Sequence, residues 1–265
     1  MEQAGLFEDV IQENLKKNVD RPTNHVAFIL DKSGSMVSMA KVAMDSFNEQ
    51  LQTLKKESHG IDTFVSLITF NKDVDMEFFE KPLYDINVNE LKKYETSGLT
   101  ALYDAIGLTI DKFRKINDMN DADADSSTLF IIITDGYENA SREFEGEEGR
   151  KKLKGIIEEL ESTNKWTFTF MGANINVMEV AHEGMSMSAG NTFSYVASNE
   201  GYRNMSEGIN NSLKGYYDIR KKGETYTKDF FNLGTNSNGS DKKLDESTGN
   251  ADSLKKEEST NGKKS

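Results

Sequence analysis

HVAFILDKSGSM, residues 25–36, passes from an apolar block to a cluster of small oxygen-bearing side chains. Residues 25–30 are almost continuously apolar, as a strand buried on both faces of a parallel sheet requires. The run stops at Asp31, and Ser33 and Ser35 follow at alternate positions. Three readings of that ending compete: a turn with a helix cap, a covalent catalytic centre, or half of a metal cage.

Outward from this stretch the chain alternates. Residues 39–56 carry Val42, Ala43, Phe47, Leu51 and Leu54 at helical spacing. Residues 62–70 predict a second strand. Residues 73–79, which alternate polar and apolar after a short turn, predict its antiparallel hairpin partner at an edge. A helix is expected over 101–116, a central strand over 128–134, and a helix over 151–160. Strands over 166–172 and 191–196 and a closing helix over 200–220 complete the series. Strands alternating with helices imply an α/β fold: a doubly wound, mostly parallel sheet with helices on both faces. Ligands of such sheets bind outside the carboxyl ends of the strands, where the opening stretch terminates.

Three parts are expected: an extension over residues 1–24, a body over 25–232 and a polar tail over 233–265. Leu6, Phe7, Val10, Ile11 and Leu15 suit a short amphipathic helix packed on the body. The tail has no aromatic residue, almost no aliphatic one and balanced charges, and such a segment cannot bury enough apolar surface to offset its ordering entropy.

Composition narrows the function. The 265 residues carry a formal net charge of −13, which argues against nucleic acid or an anionic membrane surface as partner, since both call for clustered Lys and Arg. The absence of cysteine excludes disulfides, thiolate zinc sites and cysteine nucleophiles. The first residues show no secretory pattern and no apolar run reaches membrane-spanning length, so a cytoplasmic location is expected.

Two further loops end at the predicted sheet edge. One places Thr100 just before a helix; the other places Asp135 at the end of the central strand. If the winding holds, Asp31, Ser33, Ser35, Thr100 and Asp135 converge. Two carboxylates and three hydroxyls, with no His and no Cys, form a hard-oxygen set suited to Mg²⁺, Mn²⁺ or Ca²⁺. Taken singly, each residue has a structural alternative: Ser35 or Ser38 and Thr100 as helix caps, Asp135-Gly136 as a turn.

DKSGSM, the threonine of GLTALYDAI and the aspartate of ITDGYENAS together resemble the metal-ion-dependent adhesion site of von Willebrand factor type A (VWA) domains. The resemblance covers roughly residues 25–220, and the later part looks like small bacterial and phage members. It implies a Rossmann-like VWA fold and a divalent cation, Mg²⁺ first, held by Asp31, Ser33, Ser35, Thr100 and Asp135. A carboxylate of a protein partner would fill an open position. Gly34, Met36, Leu99, Gly136, Tyr137 and Glu138 are expected to rim the site. The function expected is therefore a cation-dependent protein-binding module rather than an enzyme.

The competing class is metal-dependent hydrolysis or phosphoryl transfer at the same oxygens. Aspartate-nucleophile phosphatases need a second acid two residues after the first, and Ser33 stands there. None of His25, His59 and His182 is placed as an obvious general base. S-x-x-K at Ser38–Lys41 lacks its companion motifs, and no G-x-x-x-x-G-K loop exists. Asp121, Asp123 and Asp125 imitate the start of a calcium loop, but Ser126 and Ile132 replace its Gly and Glu. Residues 143–152 read as a solvated charged loop leading into a helix.

Overall fold

The computed structural model describes residues 21–87, 94–117 and 125–234. The expected N-terminal helix, the polar tail and residues 121–124 lie outside the described residues.

Strand β1 (Thr23–Asp31) is followed by a 3-10 turn (Gly34–Ser38) and helix α1 (Ala40–Glu57). Then come β2 (Asp62–Phe70), β3 (Val74–Pro82), α2 (Leu102–Asn117), β4 (Ser126–Thr134), α3 (Gly146–Ser162) and β5 (Trp166–Gly172). The short strand β6 (Thr192–Ser194), helix α4 (Asn199–Arg220) and a single turn α5 (Phe230–Leu233) close the series. The six strands form one sheet in the order β3-β2-β1-β4-β5-β6. Only β3 is antiparallel to its neighbour, at the edge where the sequence put it.

The sheet is covered on both faces because its central strands are apolar on both. Val26, Phe28 and Leu30 share one core with Phe47 and Leu51 of α1 and Met205, Ile209 and Leu213 of α4. Ala27 and Ile29 share the other with Ile106, Ile110 and Phe113 of α2 and Leu153 and Ile157 of α3. Burying these side chains on two faces is the main driving force for the layered arrangement.

Register places the strand ends together. Asp31 lies opposite Phe70, Leu30 opposite Ile133, Thr134 opposite Gly172, and Gly172 opposite Ser194. The loops after β1, β4, β5 and β6 therefore leave from one edge.

Most boundaries differ from the sequence reading by one to three residues, and two differences bear on this edge of the sheet. Helix α3 begins at Gly146, so most of the charged run over 143–152 is helical rather than loop. Glu147 and Glu148 then sit in its first turn, where acidic groups suit the positive end of the helix. Strand β6 keeps only three residues of the expected 191–196. The π-helical turn Met178–Glu183 and helix α5 carry no periodic signal long enough to read in advance. Among the described residues no helix is long and apolar enough to cross a membrane.

Candidate metal centre

Asp31 ends β1 at the buried sheet edge. Its Oδ1 accepts the Ser33 amide at 2.7 Å and its Oδ2 accepts the Thr134 hydroxyl at 2.6 Å. The Ser33 and Ser35 hydroxyls lie 3.1 Å apart, and Ser35 Oγ donates to Asp135 Oδ1 at 2.6 Å. Thr100 reaches the same place. A Cβ added to Gly136 would lie 3.4 Å from Thr100 Oγ1 and 3.9 Å from Ser35 Oγ. The absence of a side chain at Gly136 thus keeps the approach to these oxygens clear.

The capping alternatives do not hold. Neither the 3-10 turn nor α1 receives a side-chain cap. The first amides of α2 are taken from the other loop: Tyr103 N donates to Glu138 Oε2 at 2.9 Å and Asp104 N to Ser141 Oγ at 2.9 Å. Thr100 is 4% exposed, and its hydroxyl has no hydrogen-bond partner among the described residues.

The three loops are tied by their backbones. Gly34 N donates to Gly98 O at 3.0 Å, and Ser97 N to Lys32 O at 2.9 Å. Asn139 N donates to Thr100 O, while Asn139 Oδ1 accepts Thr100 N, both at 2.9 Å. Gly98 adopts φ +78°, a conformation glycine reaches without steric cost.

Two carboxylates complete this framework, Glu138, which the sequence reading placed on the rim, and Asp104, which it did not name. Glu138 was expected on the rim, yet Oε1 accepts the Ala140 and Ser141 amides at 2.8 and 2.7 Å. Its Oε2 takes the Tyr103 amide and the Ser141 hydroxyl. Asp104 accepts the amides of Arg142, Glu143 and Phe144 at 2.7–3.0 Å. The loop after β4 thus caps α2, and α2 ties down that loop. Only an acid in the first turn of a predicted helix hinted at Asp104.

Met36, also expected on the rim, is a correction. Its side chain is fully buried in the core with Phe28 and Phe47, because the 3-10 turn rotates it inward while leaving Val37 outward, 63% exposed. Leu99 and Tyr137 are exposed at the edge, at 56% and 51%. Gly34 approaches the neighbouring loop so closely that a Cβ would lie 3.4 Å from Gly98 O.

The two acids are held in an environment that disfavours their charge. Burial pushes the Asp31 carboxyl up to about 6; hydrogen bonds from Thr134 and Ser33 oppose the rise and the charge of Asp135 adds to it. Burial raises Asp135 too, against its bond from Ser35. Behind them lie Tyr94, whose hydroxyl donates to Asp31 O, and Tyr195, whose hydroxyl donates to Thr134 O at 3.1 Å. Burial raises both phenols, so they stay neutral donors.

The histidines lie apart from these oxygens. His25 Nδ1 meets Glu80 Oε2 at 2.5 Å at the start of β1, His59 follows α1, and His182 Nδ1 meets Met187 O at 2.8 Å. Among the described residues no group of three His, Cys, Asp or Glu side chains is placed to hold a metal. Any cation at this edge would rest on the mixed set of two carboxylates and three hydroxyls.

No family model and no curated protein matches the chain. Solved structures do. Proximal thread matrix protein 1 from the mussel byssus superposes with a TM-score of 0.50 at 15% identity, covering 74% of this chain and 46% of that one. A form of the mussel protein with a zinc-occupied MIDAS motif gives 0.51 at 14% identity, with the same coverage. A von Willebrand factor type A structure from Catenulispora acidiphila gives 0.50 at 13% identity, covering 73% of this chain and 43% of that one. The chain spans less than half the length of these proteins. At such identities the likeness shows the fold: a Rossmann-like α/β sheet of the VWA type.

Proposed function

We propose that this protein is a divalent-cation-dependent protein-binding module. Asp31, Ser33, Ser35, Thr100 and Asp135 would hold the cation, and a partner's Asp or Glu would complete its coordination. The observation that carries this reading is the convergence of five oxygen-bearing side chains from three separated loops, with the Thr100 hydroxyl unpartnered among the described residues.

The donor set fits the ion. Hard oxygens suit Mg²⁺, with Mn²⁺ and Ca²⁺ as the other candidates. Two buried carboxyls, each pushed up by burial, gain more from a nearby double positive charge than solvated ones would. When bound, the cation would supply a Lewis-acid site for a carboxylate oxygen. The chain's own residues orient the ligands: Thr134 and the Ser33 amide fix the Asp31 carboxylate, and the Asn139–Thr100 pair fixes the second loop.

Titration calorimetry with Mg²⁺ tests the site, and pull-down from lysate with Mg²⁺ against EDTA, read by mass spectrometry, tests the module. Metal-dependent hydrolysis of phosphate esters, lost in Asp31→Asn, would replace the binding reading with an enzymatic one.

A further inference from the structure

Four of the segments around the oxygen cluster form a collar without charged residues; the loop after β4 completes the edge and brings Asp135 and Glu138. Residues 33–40, 96–103, 172–178 and 192–199 contain no Asp, Glu, Lys or Arg, in a chain where these make up 29% of residues. All four segments meet at the carboxyl edge of the sheet. The first follows β1, the second is tied to it through Gly34–Gly98 and Lys32–Ser97, and the others follow β5 or span β6 and the loop beyond it.

The same collar concentrates exposed apolar side chains. Val37, Leu99, Met178 and Val196 of these segments, and Tyr137 of the adjoining loop after β4, are 44–72% exposed. They are five of the eight large apolar residues that stand out from the described surface, and each lies on a loop or turn at this edge. Single exposed apolar residues are ordinary, but apolar residues grouped at one edge mark an interaction surface.

Four basic groups near the collar are paired among the described residues. Lys32 meets Asp75 at 2.7 Å, Lys72 meets Asp73 at 3.8 Å, Arg142 meets Asp73 at 3.5 Å and Arg150 meets Glu147 at 2.7 Å. The last pair lies in a cavity of about 420 Å³ beside Tyr137 and Glu138. A ligand with several negative charges would find no unpaired cation among these groups to balance it. A basic flank would find no carboxylate on the four segments.

We infer that the collar selects its partner: a protein segment presenting one Asp or Glu between uncharged, apolar residues. This rests on the metal-dependent reading above and narrows it. Apolar side chains packed against Val37, Leu99 and Val196 would exclude water around the central carboxylate, and a charge contact shielded from water is worth more than an exposed one. A neutral segment also avoids the long-range repulsion that a body of net charge −13 exerts on acidic ones.

The test uses the full chain loaded with Mg²⁺ and three blocked synthetic pentapeptides, each with a central Glu flanked by Leu, by Ser or by Lys. Isothermal titration should rank the Leu-flanked peptide about tenfold or more above the other two, with all binding lost in EDTA. The double variant Val37→Ser/Val196→Ser should bring the Leu-flanked peptide down to the Ser-flanked one and leave Mg²⁺ affinity unchanged. Equal affinity for the three peptides, or preference for the Lys flank, would overturn the inference while leaving metal-dependent binding standing. Absence of Mg²⁺ binding in the unmodified protein would overturn both.

Discussion

Ser35 Oγ donates to Asp135 Oδ1 at 2.6 Å, although the two residues stand 100 positions apart in the chain. The bond joins the loop after the first strand to the end of the central strand, and with the Ser33–Ser35 contact and the Ser33 amide it links Asp135 to Asp31 through two serines. If the cluster holds a cation, both acids supply charge that no hydroxyl replaces. Asp31→Ala and Asp135→Ala should each lower Mg²⁺ affinity by a hundredfold or more, about 3 kcal/mol. Calorimetry checks this, and unchanged affinity in both variants would refute the assignment.

Asp31 should make the metal-free protein sensitive to pH. Its folded carboxyl is pushed up to about 6 from an ordinary 3.8. Between those values the folded state keeps a proton that the unfolded state has released, so this group's contribution to stability falls as pH rises from about 4 to above 6. The full rise corresponds to about 3 kcal/mol. In EDTA, Asp31→Asn should therefore raise the melting temperature at pH 7.5 and change it little at pH 4. The amide can keep both partners: its oxygen accepts from Ser33 N, and its nitrogen donates to a rotated Thr134 hydroxyl. A lower melting temperature for the variant at pH 7.5 would count against the buried-charge account.

Asp104 holds three backbone amides of the loop that follows the central strand. Asp104→Ala leaves Arg142, Glu143 and Phe144 without their acceptor, a loss of about 2–4 kcal/mol by the usual penalty for unmade bonds to a charged group. Urea unfolding should show the midpoint falling. An unchanged midpoint would mean the loop is held by Phe144 packing alone.

Arg220 is fully buried at the opposite end of the sheet, an unusual place for a guanidinium. It donates to Asn24 Oδ1 at 2.6 Å, to Asp125 Oδ1 at 2.8 Å and to the carbonyls of Glu224 and Asp125 at 2.9 Å. Arg220→Met should lower stability by about 2–3 kcal/mol, because it leaves the buried Asn24 Oδ1 without its charged donor and removes the partner of the half-exposed Asp125. Arg220→Lys should recover only part, since an ammonium cannot reproduce the planar fork. Denaturant melts of both variants check the order.

Much of the architecture was legible in the residues alone. β2 and β5 fall where their apolar runs lie, and the alternation over 73–79 marked the antiparallel edge. Asp31, Ser33 and Ser35 each had a turn or capping alternative taken singly, and pointed to a shared oxygen site only together with the Thr100 and Asp135 loops at the same predicted sheet edge. Met36 misled because a residue directly after Ser35 looks exposed in a linear reading. The 3-10 turn, with about three residues per turn, instead sends Met36 into the core and Val37 outward.

The order and kind of most elements, the excess of acidic residues, and the oxygen-bearing residues at strand ends could be read from the residues alone. These are local properties, set by side-chain periodicity of about 2 or 3.6 residues and by residue chemistry. It took the folded chain to show that Glu138 and Asp104 each secure the other's loop, that Arg220 staples β1 to the far end of α4, and that four uncharged segments reach one edge of the sheet. Those relationships join residues 35 to 196 positions apart. They follow from strand register and helix packing, which no short stretch of chain encodes.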